Sequence, residues 1–111
     1  MNKYTELSDF EVNKKVAEKL GAEWFVTTTV WDELVVMVGS KCFKPCNNPT
    51  DAMPIIKDNF ISITYDGIAW DVSCVKYPEL SVWSGLENYN DNFYRKAMEL
   101  FLLMKEAENE G

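Results

Sequence analysis

The chain opens with an apolar pattern of helical period. Val12 and Val16 fall on one face, while most of the neighbouring lysines and glutamates lie off it. Ser8 and Glu11 form the Ser-x-x-Glu capping box that begins many helices, and Gly21 suits the left-handed residue that ends one. The pattern predicts a one-sided surface helix of about three turns that starts at Ser8.

The next segment is rich in β-branched and aromatic residues. The runs 23–29 and 34–38 lie on either side of Trp31, Asp32 and Glu33 and predict a hairpin. If Asp32-Glu33 is the turn, both faces of the pair contain apolar residues. The alternation therefore leaves the register of this hairpin open.

The signals for a second helix begin at Asn48. This residue fits the N-cap, Pro49 fits the first helical position and Asp51 fits the first turn. The helix is predicted from Pro49 to about Asp58. Pro54 lacks the N–H that a helix interior uses, so we expect the first turn to be distorted or tightened.

Strict alternation of apolar and polar residues predicts a second hairpin over 61–74. Asp66-Gly67, in the middle of this segment, has the composition of a type I′ turn. A two-residue turn places the apolar residues together on one core-facing side. The pairs that it sets are Tyr65 with Ile68, Ile63 with Trp70 and Ile61 with Val72.

The last element is a helix with a broad apolar face, which opens at Asn92 or Asn90 and runs past residue 104. An arc this broad either lies deep against the sheet or leaves a strip for a second copy. Self-association through this helix is therefore a hypothesis. The connection before it, 76–91, is long, and its residues 80–83 fit a loop and an edge strand equally well.

The order of the predicted elements is α-β-β-α-β-β-α, without parallel crossovers. This order indicates an α+β fold, an antiparallel sheet of two hairpins with three helices packed mainly on one face. The 111 residues fit a single domain, 1–111, and 47% apolar residues supply a core.

Charge and composition exclude several classes of function. Eleven basic and eighteen acidic residues give a net charge of −7, the wrong sign for direct binding to nucleic acid. The chain has no histidine, which removes the commonest general base and most metal sites, so we expect no enzyme, cofactor or metal. Cys42, Cys46 and Cys74 are expected to be ordinary buried or free thiols. The first residues lack a secretory signal and no run is long enough to span a membrane, which indicates a cytoplasmic protein without membrane contact.

Polar groups at the two later helix starts indicate a site for a small anion. Helix N-termini present N–H groups and a partial positive charge, although plain capping by Asn48 is the alternative. Arg95, the only arginine, lies in a first turn where the dipole disfavours a cation, so it has either an anionic ligand or an internal carboxylate partner. Aromatic residues of the long connection offer faces for stacking. The candidate ligand-binding residues are Asn47, Asn48, Thr50, Trp83, Tyr89 and Arg95.

Three segments, 6–13 (ELSDFEVN), 46–56 (CNNPTDAMPII) and 92–106, carry a resemblance to a known family. They resemble the NinX-like proteins of tailed bacteriophages and prophages, in the same order and over nearly the whole chain. The family often has Trp at the position of Met53, and Asn-Pro-Leu-Arg at the start of the third segment. The resemblance implies a phage accessory protein made in the cytoplasm of the bacterial host, with no activity or binding residue assigned.

Two functions fit these expectations. The first is a non-catalytic binder that sequesters a small anionic, nucleotide-like ligand and so counteracts host defence. The second is an acidic protein-interaction module that inhibits a host protein, for instance by imitating the charge of nucleic acid. A pocket containing Asn47, Asn48 and Arg95 favours the ligand, whereas a flat acidic face with a protruding Trp83 favours the protein partner.

Overall fold

The computed structural model describes residues 3–80, 82 and 92–110. In these ranges the elements are α1 (Asp9–Leu20), β1 (Trp24–Thr28), β2 (Leu34–Val38), β3 (Lys41–Cys42), α2 (Pro49–Asp58), β4 (Ile61–Tyr65), β5 (Trp70–Cys74) and α3 (Phe93–Glu110). The predicted α+β class and order of elements are confirmed. The two hairpins form separate antiparallel sheets, β1-β2-β3 and β4-β5, rather than one sheet. The short β3, which was not predicted, pairs with the second edge of β2.

Side-chain caps fix the ends of the helices. Ser8 Oγ accepts the N–H of Glu11 at 3.2 Å while Glu11 Oε1 accepts the N–H of Ser8 at 3.3 Å, which is the predicted capping box. Gly21 ends α1 in the left-handed conformation, with φ of +72°. Asn92 Oδ1 accepts two N–H groups of the first turn of α3, so this helix begins after Asn92, the first of its two predicted starts.

The first hairpin closes through a β-turn over residues 29–32 that ends in a left-handed residue. Thr28 pairs with Leu34, and the N–H of Asp32 donates to the carbonyl of Thr29 at 2.9 Å. Asp32 itself has φ of +63°. The turn therefore lies before Glu33, so Asp32-Glu33 is not a two-residue turn, and the pairing of Thr28 with Leu34 sets the register that the sequence left open.

The predicted register of the second hairpin is also wrong, by two residues. The observed pairs are Tyr65 with Trp70, Ile63 with Val72 and Ile61 with Cys74. The cause is the Asp66 side chain, whose Oδ1 accepts the N–H groups of Ile68 and Ala69, both at 2.8 Å, and so closes a longer loop. A shift of two residues keeps each strand residue on its predicted face. Ile68 is the exception, since it lies in the loop and is 76% exposed.

The core is built around α3, which contacts α1, α2, β4 and β5. Every residue from 95 to 102 is buried. The largest of the fully buried side chains are Phe101, Met98, Leu100 and Leu102. Of the two alternatives for this helix, the deeply packed one is observed, and this stretch of α3 leaves no apolar strip for a second copy.

Candidate functional site

A carboxylate of the chain itself occupies the position where an anion was predicted. Arg95, only 8% exposed, donates from Nη1 to Asp9 Oδ1 at 2.5 Å and from Nε to Glu99 Oε2 at 2.8 Å. Its Nη2 donates to the carbonyls of Tyr4 at 2.8 Å and Leu7 at 2.7 Å. All three guanidinium nitrogens are thereby engaged. Of the two roles considered for Arg95, the internal carboxylate partner is the one present.

Asparagines extend this cluster towards the start of α2. Asn47 donates from Nδ2 to Asp9 Oδ2 at 3.2 Å, so one carboxylate bridges Asn47 and Arg95. Asn92 donates from Nδ2 to the carbonyl of Cys46 at 2.8 Å and to Asn47 Oδ1 at 3.3 Å. The starts of α2 and α3 are therefore neighbours in space, with the Asp9 carboxylate beside both.

The first turn of α2 is capped from within the chain. Asn48 is the N-cap, as predicted, and its Oδ1 accepts the N–H of Thr50 at 3.0 Å. Asp51 Oδ2 accepts the N–H of Lys44 at 3.0 Å, which places a negative charge at the positive end of the helix dipole. The capping alternative for Asn48 is thus observed. Together, Asp9 and Asp51 repel a further anion from this place.

Four of the predicted ligand-binding residues fall in the described ranges and lie near one another. They are Asn47, Asn48, Thr50 and Arg95, while Trp83 and Tyr89 lie outside the described residues. Asp9 is not among the predicted residues, because an acid in the first turn of a helix is ordinary capping chemistry. The available signal was Arg95 itself, since a guanidinium that enters a core needs a carboxylate partner.

The ionisation states of this cluster are those of a structural network. Burial opposes the charge on Arg95, but hydrogen bonds with Asp9 and Glu99 outweigh it and raise the pKa of the guanidinium. Burial, with the negative charge of Asp9 added, raises the pKa of the Cys46 thiol to about 12. A thiol that stays protonated is a poor nucleophile. The cluster therefore joins α1, α2 and α3 without supplying an activated group.

A second candidate site is apolar and was not predicted. Phe60 and Val75 extend the strand ends beyond the pair Ile61 and Cys74, and they are 79% and 84% exposed. With Met104 of α3 they line a cavity of about 560 Å³. We refer to Phe60, Val75 and Met104 as the Phe60 surface. The only sequence signal for it is an aromatic residue shortly after a helix end, where glycine or asparagine is usual.

The backbone at Phe60 makes this surface unusual. Phe60 has φ of +55°, a conformation that residues with a Cβ rarely adopt. The rim of the cavity carries Asp58 and Glu108, and Lys76 Nζ lies 3.4 Å from Glu108 Oε1. Lys105 Nζ also lies 3.4 Å from Glu108 Oε2, so the two lysines offset this carboxylate and Asp58 is the negative group of the rim. The surface therefore suits an apolar group with a basic neighbour near Asp58.

The fold and these surfaces define a small acidic α+β domain, held together by a buried ion network and carrying exposed apolar side chains. The chain belongs to the NinX family, because the family model described as Bacteriophage P22, NinX matches residues 3–105. The predicted family is thereby confirmed. No curated protein and no solved structure gives a match. Among the helices of the described residues, none combines the length and the apolar composition that crossing a bilayer requires.

Proposed function

We propose that this protein is a non-catalytic interaction module, made by a bacteriophage in the cytoplasm of its bacterial host, that binds and inhibits a host protein through the Phe60 surface. The observation that carries the proposal is the exposure of Phe60 in a left-handed backbone. That conformation costs a residue with a Cβ about 1–2 kcal/mol. Phe60, exposed as it is, recovers little of this cost by burial in its own chain.

The chemistry of the surface describes the partner. Aromatic side chains that fill or border pockets are frequent anchors of protein interfaces. The cavity beside Phe60 accepts an apolar side chain, and the carboxylate of Asp58 on its rim attracts a basic neighbour of that side chain. A net charge of −7 steers basic proteins towards the chain over longer distances. Host proteins that bind nucleic acid have this basic character. The acidic chain would bind such a protein by imitating the charge of nucleic acid.

Affinity capture from a lysate of the host bacterium tests the proposal with two matched variants. Phe60→Asn removes the ring but keeps a residue that tolerates the left-handed backbone. Ile68→Asn removes an equally exposed apolar side chain from the distant loop of the same hairpin. We expect a stoichiometric host protein with the wild type and with Ile68→Asn, and its loss with Phe60→Asn. Recovery of no partner at low salt, or of the same partner with all three chains, contradicts the proposal.

Binding of a small anionic ligand is the second candidate, and one cavity favours it. Lys3, Lys15 and Lys19 line a space of about 370 Å³ together with Glu18 and Glu106. Lys3 is ion-paired with Glu106. The lining has one more ammonium than carboxylate groups, although the whole chain carries −7. The support for an anion thus comes from this cavity rather than from the cluster around Asp9.

Calorimetric titration with a panel of cyclic and linear nucleotides tests the anionic ligand. We expect saturable heat with one of them, weakened in Lys15→Gln and unchanged in Lys57→Gln, an exposed lysine outside this cavity. No heat from any nucleotide, at protein concentrations on the order of tens of micromolar, contradicts this second candidate.

A further inference from the structure

The strand β1 is an edge strand that lacks the usual protection. Within the described residues its one hydrogen-bonded neighbour is β2. The run from Trp24 to Val30 contains no charged residue, no proline and no glycine. Natural edge strands are commonly protected by lysine, proline or a bulge. In addition, Phe25 and Val26 are exposed on opposite faces of the strand.

The open backbone groups of β1 follow from the hairpin that it forms. The N–H of Thr29 donates to the carbonyl of Glu33 at 2.9 Å and closes the ladder. Hydrogen-bonded and non-hydrogen-bonded pairs alternate along antiparallel strands. Counting back from Thr29, the odd-numbered residues therefore bond to β2. The N–H and C=O groups of Trp24, Val26 and Thr28 are directed to the open edge.

We propose that this edge pairs with the same edge of a second copy, antiparallel and with a two-fold axis at Val26. This register places Val26 opposite itself and Trp24 opposite Thr28 of the second copy. The residues whose backbone groups face outwards are then the residues that form the new hydrogen-bonded pairs. The two sheets continue into one sheet of six strands, and the interface is closed by its symmetry. The pairing involves neither the Phe60 surface nor α3, so it is tested independently of the proposed function.

Charge complementarity selects a second copy as the occupant. At one end of β1, Lys14 Nζ lies 5.8 Å from the centroid of the Trp24 ring. At the other end, Asp32 and Glu33 are exposed. Antiparallel pairing brings the lysine end of each copy to the acidic loop of the other, twice by symmetry. Glu23 shares the lysine end, and Lys41, two strands away on β3, gives the same end of the sheet a second positive charge.

The same pairing brings an exposed aromatic side chain close to the second copy. Trp31, in the loop after β1, is 85% exposed. In the antiparallel arrangement this loop lies beside the lysine end of the other copy, which removes apolar area of Trp31 from water.

Sedimentation velocity and native mass spectrometry of the full chain test the pairing over a concentration series. We expect a dimer whose dissociation constant rises about tenfold or more in Thr28→Pro. Proline at this position removes an N–H that faces the open edge and leaves the β2 ladder intact, as prolines on edge strands do. Ile68→Asn, far from this edge, is the control and should dimerise as the wild type does.

A charge exchange tests the same geometry without proline. Lys14→Glu and Glu33→Lys should each weaken the dimer, and the double variant should restore it, because each substitution alone places like charges opposite each other. If Thr28→Pro does not fold, as judged by circular dichroism, the charge exchange decides. A wild-type monomer at concentrations on the order of 100 micromolar overturns the proposal. A dimer whose dissociation constant changes in neither the proline nor the charge variants also overturns the proposal, since the contact then lies elsewhere.

Discussion

Asp9 Oδ1 and Arg95 Nη1 lie 2.5 Å apart, although 86 positions separate the two residues along the chain. The contact joins the first turn of α1 to the first turn of α3. Glu99, one turn further along α3, holds the same guanidinium and is itself buried. Charges buried in this way are tolerated only while their partners are present. The network therefore fixes how the first and last helices meet.

Replacing Arg95 should destabilise the protein severely. Arg95→Met leaves the buried Glu99 carboxylate without its guanidinium, and loss of one member of a buried ion pair costs about 3–5 kcal/mol. Urea denaturation followed by circular dichroism measures the free energy of unfolding. Lys57→Met, at an exposed lysine of α2, is the matched control and should stay within about 0.5 kcal/mol of the wild type. Equal stability of the two variants would show that the network contributes nothing.

The features that sequence could predict are those whose determinants lie close together in the chain. Ser8 and Glu11 cap a helix across three positions, so the pattern alone locates the start of α1. The register of β4 and β5 depends on which backbone groups the Asp66 carboxylate accepts, and composition does not reveal that geometry. The link between Asp9 and Arg95 depends on how α1 and α3 pack. Sequence spacing carries no information about such a contact. The sequence could therefore not predict that the Asp9 carboxylate is the anion beside Arg95.

The corrected register of the second hairpin makes Ile68 a surface residue. Ile68→Lys should therefore change the free energy of unfolding by no more than about 0.5 kcal/mol. In the two-residue-turn register, Ile68 faces the core and a lysine there would prevent folding. Val72→Ala, at a fully buried position of β5, is the comparison and should lose stability through the cavity that it leaves. Severe destabilisation by Ile68→Lys, measured by thermal unfolding, would show that Ile68 faces the core and that the two-residue turn is the correct one.

The three free cysteines should differ sharply in reactivity. Cys42 is exposed, whereas Cys46 and Cys74 are buried. Burial raises the pKa of Cys46 to about 12, so its thiol stays protonated in the folded protein. Alkylation with iodoacetamide at pH 8, followed by mass spectrometry, should label Cys42 first and the other two only after denaturant is added. Because the folded pKa of Cys46 lies above the unfolded one, its contribution to stability is complete below pH 9 and is lost as the pH rises towards 12. Rapid labelling of Cys46 in the folded chain would contradict both expectations.

Phe60→Gly should stabilise the isolated protein, which is the opposite of what loss of an aromatic side chain usually does. Glycine adopts φ of +55° without the steric cost that a Cβ imposes, and little burial is lost because the ring is mostly exposed. Glycine also gains entropy in the unfolded chain, so we expect a net gain of about 0.5–1 kcal/mol at most. Val75→Gly, at an exposed position whose φ is negative, should lose stability instead and is the control. If Phe60→Gly is stabilising and also releases the captured host protein, the strain at Phe60 is retained for binding. A loss of stability in Phe60→Gly would show that the ring supports the fold, and the strain at Phe60 would then not indicate a docking surface.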